Sequence, residues 1–172
     1  ILFILFSSSV IADDIYDFQI SGISIGDSLL DHYSQREISN GLQGGNYSDD
    51  YFTDIGLPTK NQEFDRLSFF YKKNDNKFII HFMSGDKKFI DDLDSCFAFM
   101  DNVESTVYQM LMITEKKEYK YPYKNIADGK SIAYISEYPL ENGQIRTYCQ
   151  DWSEETKKQF QWEIEGSVEV ST

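Results

Sequence analysis

Residues 90–111 read Ile-Asp-Asp-Leu-Asp-Ser-Cys-Phe-Ala-Phe-Met-Asp-Asn-Val-Glu-Ser-Thr-Val-Tyr-Gln-Met-Leu. Leu93, Cys96, Phe97, Met100, Val103, Val107, Met110 and Leu111 recur at steps of three and four, while Asp91, Asp92, Asp94, Asp101, Glu104 and Gln109 fill the other side. That period is helical, and the spacing predicts one long amphipathic helix over 91–112 with its early aspartates at the positive end of the helix dipole. A helix with a single apolar stripe needs a partner with a single apolar face.

The flanking segments supply it. Upstream, Leu67, Phe69 and Tyr71 alternate with Arg66, Ser68, Phe70 and Lys72, Asn74-Asp75-Asn76 marks a turn, and residues 78–83 form a second strand, so a hairpin is predicted. Downstream, Ile132, Tyr134, Ser136 and Tyr138 alternate, Asn142-Gly143 is the pair most typical of a type I′ turn, and residues 144–150 run back. A last strand is expected to carry Phe160, Trp162 and Ile164 to about Val170. Before the first hairpin, Ser24 with Asp27 and then Ser34 with Glu37 mark the starts of two brief helices, and the glycine-bearing stretch 41–62 reads as a long loop. The resulting expectation is an α+β fold: a two-layer sandwich of one long helix, with a short N-terminal helix, on an antiparallel sheet of about five strands.

Residues 1–12 carry no charge and end in Val10-Ile11-Ala12 before Asp13-Asp14. A short apolar core followed by small residues at −3 and −1 reads as the back half of a secretory signal peptide, truncated at its start, with the exported product beginning at Asp13. Residues 13–172 then form one domain. The apolar run is too short to span a bilayer and no Cys follows it, so no stable membrane anchor is expected. A formal charge of −13 opposes binding to nucleic acid. In an oxidising compartment the two cysteines, Cys96 and Cys149, are expected to pair, joining the helix's inner face to the sheet.

Few residues carry chemistry. Gly26-Asp27-Ser28-Leu29 resembles the nucleophile block of the GDSL esterases, which would make Ser28 the nucleophile. A serine nucleophile needs a base, however, and no His follows His81, where that family places its Asp-x-x-His pair. Asp49, Asp50 and Asp54 lack the ligand spacing of a calcium loop, and no catalytic residue, metal or cofactor is assigned. The basic, aromatic-interleaved segment 116–124 is read as an extended crossover. Its Tyr119, Lys120, Tyr121 and Tyr123, together with Trp152 in a polar loop, are the candidate binding residues.

Two further resemblances bear on function. Phe18-Gln19-Ile20-Ser21-Gly22-Ile23-Ser24 before a short helix is similar to the opening of the SmpA/OmlA and BLIP-like envelope modules, which bind other proteins. Residues 23–31, the Cys96 helix and Cys149-Gln150-Asp151-Trp152-Ser153 resemble small exported proteins of marine alphaproteobacteria. The first implies a non-enzymatic module that binds other proteins; the second carries no known activity and implies only export and the disulfide. The expectation is therefore an exported, periplasmic or secreted, non-enzymatic module that binds a protein or polymer of the cell envelope. The alternatives are a Ser28 esterase and a small carrier with an apolar pocket between helix and sheet.

Overall fold

The computed structural model describes residues 14–43, 51–60, 63–111 and 115–172. The signal-peptide reading of residues 1–12, and with it Asp13, Asp49 and Asp50, lie outside the described residues. After a 3-10 turn at Ile15–Asp17, the chain forms β1 (Gln19–Ile20), β2 (Ile23–Ser24), α1 (Leu29–His32), α2 (Gln35–Asn40), β3 (Leu42–Gln43), β4 (Phe52–Leu57), β5 (Arg66–Lys72) and β6 (Ile80–Phe89). The helix α3 (Leu93–Leu111) follows, then β7 (Lys117–Pro122), β8 (Ile132–Leu140), β9 (Gly143–Asp151), α4 (Glu154–Phe160) and β10 (Ile164–Ser171).

The fold is mixed α and β, with a small β1-β2 sheet and one antiparallel sheet of eight strands rather than five, in the order β3-β4-β5-β6-β10-β9-β8-β7. Two four-stranded meanders are therefore joined edge to edge by the β6–β10 pairing, with Val168 opposite Gly85 and Val170 opposite Met83. The helix α3 connects the inner strand of the first meander to the far edge of the second and lies across β6, β10 and β9. Ile55, Leu67, Phe69, Met83, Val168, Val170, Ile145 and Tyr138 from the sheet meet Val107 and Leu111 from α3 and Ile15, Ile23 and Leu29 from the N-terminal segment in one core.

Where local signals were unopposed, the elements match the sequence. The capping box of Ser34 and Glu37 opens α2. The disulfide Cys96–Cys149 is present, with both residues fully buried between α3 and β9. Gly166 of β10 makes room for it, since a Cβ there would sit 2.8 Å from Phe99 and 3.2 Å from the Cys96 sulfur.

Five further expectations need correction. The 41–62 segment is not all loop: β4 lies within it and pairs with β5, because Ile55 and Leu57 bury against the core despite the flanking glycines. Ser24 starts no helix; it sits in β2, Asp27 accepts its backbone N–H at 2.9 Å, and Ser28 caps α1 instead. The β8–β9 hairpin forms, but Leu140 pairs with Gly143, so residues 141 and 142 make the turn. Gly143 is needed there because a Cβ would lie 2.1 Å from the Ser171 carbonyl oxygen. The 116–124 crossover is an edge strand, β7, paired with β8. Finally, Phe160 ends a helix and Trp162 precedes β10, so neither belongs to the last strand.

Candidate functional site

Strand alternation assigns each residue of the sheet to one of two faces. The face under α3 holds the apolar core. The opposite face carries a polar band. Arg66 donates to Asp86 through Nε at 2.9 Å and Nη2 at 2.7 Å, and the Ser167 hydroxyl donates to the same carboxylate at 2.8 Å. Further along, the Tyr148 hydroxyl donates to Glu169 at 3.1 Å, while Arg146 and Tyr119 both donate to Glu137, at 3.0 and 3.3 Å. Burial pushes the Glu169 carboxyl up, against the Tyr148 hydrogen bond and Arg146. Burial, then the neighbouring Asp86 charge, pushes Glu165 up as well. Most of these groups pair with one another, although the Arg146 Nε is buried without a hydrogen-bond partner among the described residues, so the band serves cohesion more than recognition.

At the β7–β8 end of this face the character changes. Tyr121, Tyr123, Trp152, Trp162 and Phe160 form a continuous column of rings, with successive centroids 5.3, 4.9, 4.6 and 4.7 Å apart. Tyr121 meets Tyr123 edge-on at 79°, and Phe160 stacks on Trp162 at 21°. The two ends are open, with Tyr121 55% and Phe160 41% exposed, and Trp162 keeps 39%, whereas Trp152 in the middle retains only 8%. The Gln150 amide donates to the Tyr123 hydroxyl at 3.0 Å, tying the column to β9.

Local structure places these rings. Ser153 caps α4 by accepting the Thr156 N–H, and Glu154 and Glu155 occupy the first turn, where the helix dipole favours them. The buried Ser131 and Thr156 hydroxyls lie 2.9 Å apart, and the Ser153 N–H donates to Ser131 at 3.0 Å, so α4 is fastened to the start of β8. The Ser153 hydroxyl also donates to Asp128, holding that carboxyl below its usual range. Lys157 reaches Asp91 at 2.7 Å, linking α4 to the approach to α3. Gln161 then adopts the left-handed conformation, φ 57°, and turns Trp162 back onto Phe160.

Of the five residues singled out from sequence, three join the column: Tyr121, Tyr123 and Trp152. Trp152 is buried rather than exposed in a loop, because Tyr123 and Trp162 cover its two sides. Tyr119 shares the face but reaches into the polar band. Lys120 points to the other face, its ammonium 4.9 Å from the Tyr134 ring centroid. Phe160 and Trp162 escape the sequence reading as site residues. The Ser153-Glu154-Glu155-Thr156 start and the Lys157-Lys158 pair near the helix end are the signals that place α4 and free these rings from the strand.

The remaining candidates also have positions. The Ser28 hydroxyl accepts the Leu30 N–H at 3.1 Å and donates to the Lys77 carbonyl, and the His32 Nε2 engages Asp27 at 3.0 Å. A cleft of about 410 Å³ does lie between α3 and the β7–β8 edge, but it is amphipathic rather than apolar: Phe97, Met100 and Tyr134 share its lining with Asp101, Glu104 and Glu118. Burial opposes the Lys116 charge at this edge, yet hydrogen bonds to Glu104 at 2.5 Å and Glu118 at 2.9 Å hold its pKa above the usual range. No helix among the described residues is long and apolar enough to cross a membrane, and no cluster of metal-ligating side chains occurs among them. No protein family, curated protein or solved structure matches the chain.

Proposed function

We propose that this chain is an exported, non-enzymatic binding module that captures a protein or polymer of the cell envelope on the aromatic column of Tyr121, Tyr123, Trp152, Trp162 and Phe160. The observation that carries the reading is the column itself. Five large rings in unbroken contact sit outside both apolar core clusters, and three of them keep a third or more of their surface in water. Large rigid aromatics of this kind lose little conformational entropy on binding and dominate interface energetics where they occur. The uncharged segment 1–12 and the buried disulfide support export.

Both tryptophans of the chain lie in the column, so intrinsic tryptophan emission reads the site directly. Capture from a periplasmic extract, followed by titration of the captured species against tryptophan emission, tests the reading. Tyr121→Ala and Trp162→Ala are expected to weaken capture by about 30-fold, the equivalent of ~2 kcal/mol at a hot spot. Tyr121→Ala should keep a melting temperature near that of the parent and Trp162→Ala a lower one, because the Trp162 ring covers Trp152. Trp152→Ala is expected to lose about 3–5 kcal/mol of stability, because that ring is enclosed. Retained capture by folded Tyr121→Ala and Trp162→Ala would overturn the assignment. Labelling of Ser28 by a fluorophosphonate would favour the esterase instead.

A further inference from the structure

We infer that the edge strand β7 is a self-complementary docking edge whose partner is a second copy of this chain, paired antiparallel about Tyr119 so that the two large sheets become continuous. The inference does not depend on the aromatic column.

The backbone comes first. β7 is the last strand of the large sheet, and every residue from Lys117 to Pro122 is exposed. The Tyr123 N–H donates to the Ser131 carbonyl at 2.9 Å. In an antiparallel ladder a residue turns both its N–H and its C=O to the same neighbour, and the direction alternates along the strand. Tyr121, Tyr119 and Lys117 therefore turn toward β8, opposite Ala133, Ile135 and Glu137. Glu118 and Lys120 turn their N–H and C=O groups outward, and Pro122, with no N–H, ends the donor row.

The side chains then select the register. A second β7 centred on Tyr119 places each Glu118 opposite the Lys120 of the other copy, giving two opposite-charge pairs and four backbone hydrogen bonds. On the open face the same register sets Tyr119 against Tyr119 and Lys117 beside Tyr121, where an ammonium meets an aromatic ring. Centring on Glu118 would instead oppose Glu118 to itself and Lys116 to Lys120. Centring on Lys120 would oppose Lys120 to itself and spend the Glu118 position on Pro122. Charges on an edge strand ordinarily block association with arbitrary strands. Here they leave one antiparallel alignment favourable, and that alignment is with a copy of the same sequence. Strand addition of this kind draws affinity from the main chain and specificity from the alternate side chains. The interface is isologous, as a two-fold dimer requires. The helix α3 packs mainly on β10 and β9 and faces β7 across an open cleft, and every β7 residue stays exposed, so the edge remains accessible.

Sedimentation equilibrium on the full exported chain tests the proposal through charge reversal. The parent is expected to show a monomer–dimer equilibrium. Glu118→Lys alone and Lys120→Glu alone each replace both attractive pairs by repulsive ones, and each is expected to raise the dimer dissociation constant about tenfold or more. An equimolar mixture of the two single variants is expected to recover association as a heterodimer, and the double variant E118K/K120E as a homodimer. Glu118 is 68% exposed at its side chain and Lys120 is also exposed, so the variants should fold; far-UV circular dichroism verifies this. A parent that stays monomeric at all accessible concentrations would overturn the proposal. So would association indifferent to the single reversals, or a mixture of the two variants that fails to associate.

Discussion

Removing the disulfide gives the sharpest test of how the two layers are held together. Cys96 and Cys149 lie 53 residues apart, and in the chain-entropy picture closing a loop of that length restricts the unfolded chain by about 4 kcal/mol. The structure gives reason to expect most of that effect to be felt. Cys96, Met100, Cys149 and Ile164 form a small cluster with Phe89, Leu93 and Phe97, separate from the main core that holds Val107 and Leu111 at the other end of α3. The N-terminal half of the helix thus rests on this small cluster, with the disulfide at its centre, and otherwise on Phe99, which packs against Phe64 of the main core. The variant Cys96→Ala/Cys149→Ala avoids a lone buried thiol. At roughly 2–4 °C per kcal/mol for a domain of this size, its melting temperature is expected to fall by about 8–16 °C. Urea unfolding should show a lower midpoint and a steeper slope, because the uncrosslinked denatured chain exposes more surface. Hydrogen exchange should locate the weakening at residues 93–100 before 103–111. A fall under about 3 °C, worth less than ~1 kcal/mol, would show that the small cluster holds the helix without the crosslink and would refute the reasoning.

Two further perturbations follow from the geometry. Burial and the Asp86 charge raise the Glu165 carboxyl above its ordinary value of 4.5, so the folded state holds its proton to higher pH than the unfolded chain. That contribution to stability is complete below the ordinary value and is lost as pH rises through the raised one. Glu165→Gln is therefore expected to melt higher than the parent at pH 7 and to vary less with pH above 4.5; melts across pH check both, and a lower melting temperature at pH 7 would contradict the burial argument. Ser28→Ala removes the cap of α1 and a hydrogen bond to the Lys77 carbonyl, and is expected to cost about 1 kcal/mol of stability in urea titration while leaving partner capture unchanged.

The elements legible in the sequence are those whose signal is local. The three- and four-residue recurrence from Leu93 to Leu111 and the Ser34–Glu37 box could be read from the chain because backbone period and capping depend on neighbours within a turn. The strand alternation of 67–71 and 132–138 was legible for the same reason. The cysteine pairing was also within reach, since both residues sat in register with apolar faces that had to meet. The β4 strand was harder, because Ile55 and Leu57 stand among glycines and only their burial against β5 and Gly41 makes them a strand. Phe160 and Trp162 misled because apolar residues two apart suit a strand equally well. The competing helix signal rested on the Ser153 cap and the charges of α4.

What only the tertiary structure decided is who lies beside whom. The chain order places β10 last, yet it lies at the centre of the large sheet between β6 and β9, with its Gly166 against the disulfide. Trp152 read as a loop residue because nothing near it in sequence covers it; Tyr123 and Trp162 arrive from separate segments and enclose its ring. Lys120 stands between Tyr119 and Tyr121 in sequence, but strand alternation turns it to the opposite face with Glu118, over the Tyr134 ring. Periodicity fixes which face of an element is apolar, because it depends on backbone geometry within a few residues. Sheet order and ring contacts depend on burial shared between segments far apart in the chain, and no local pattern encodes them.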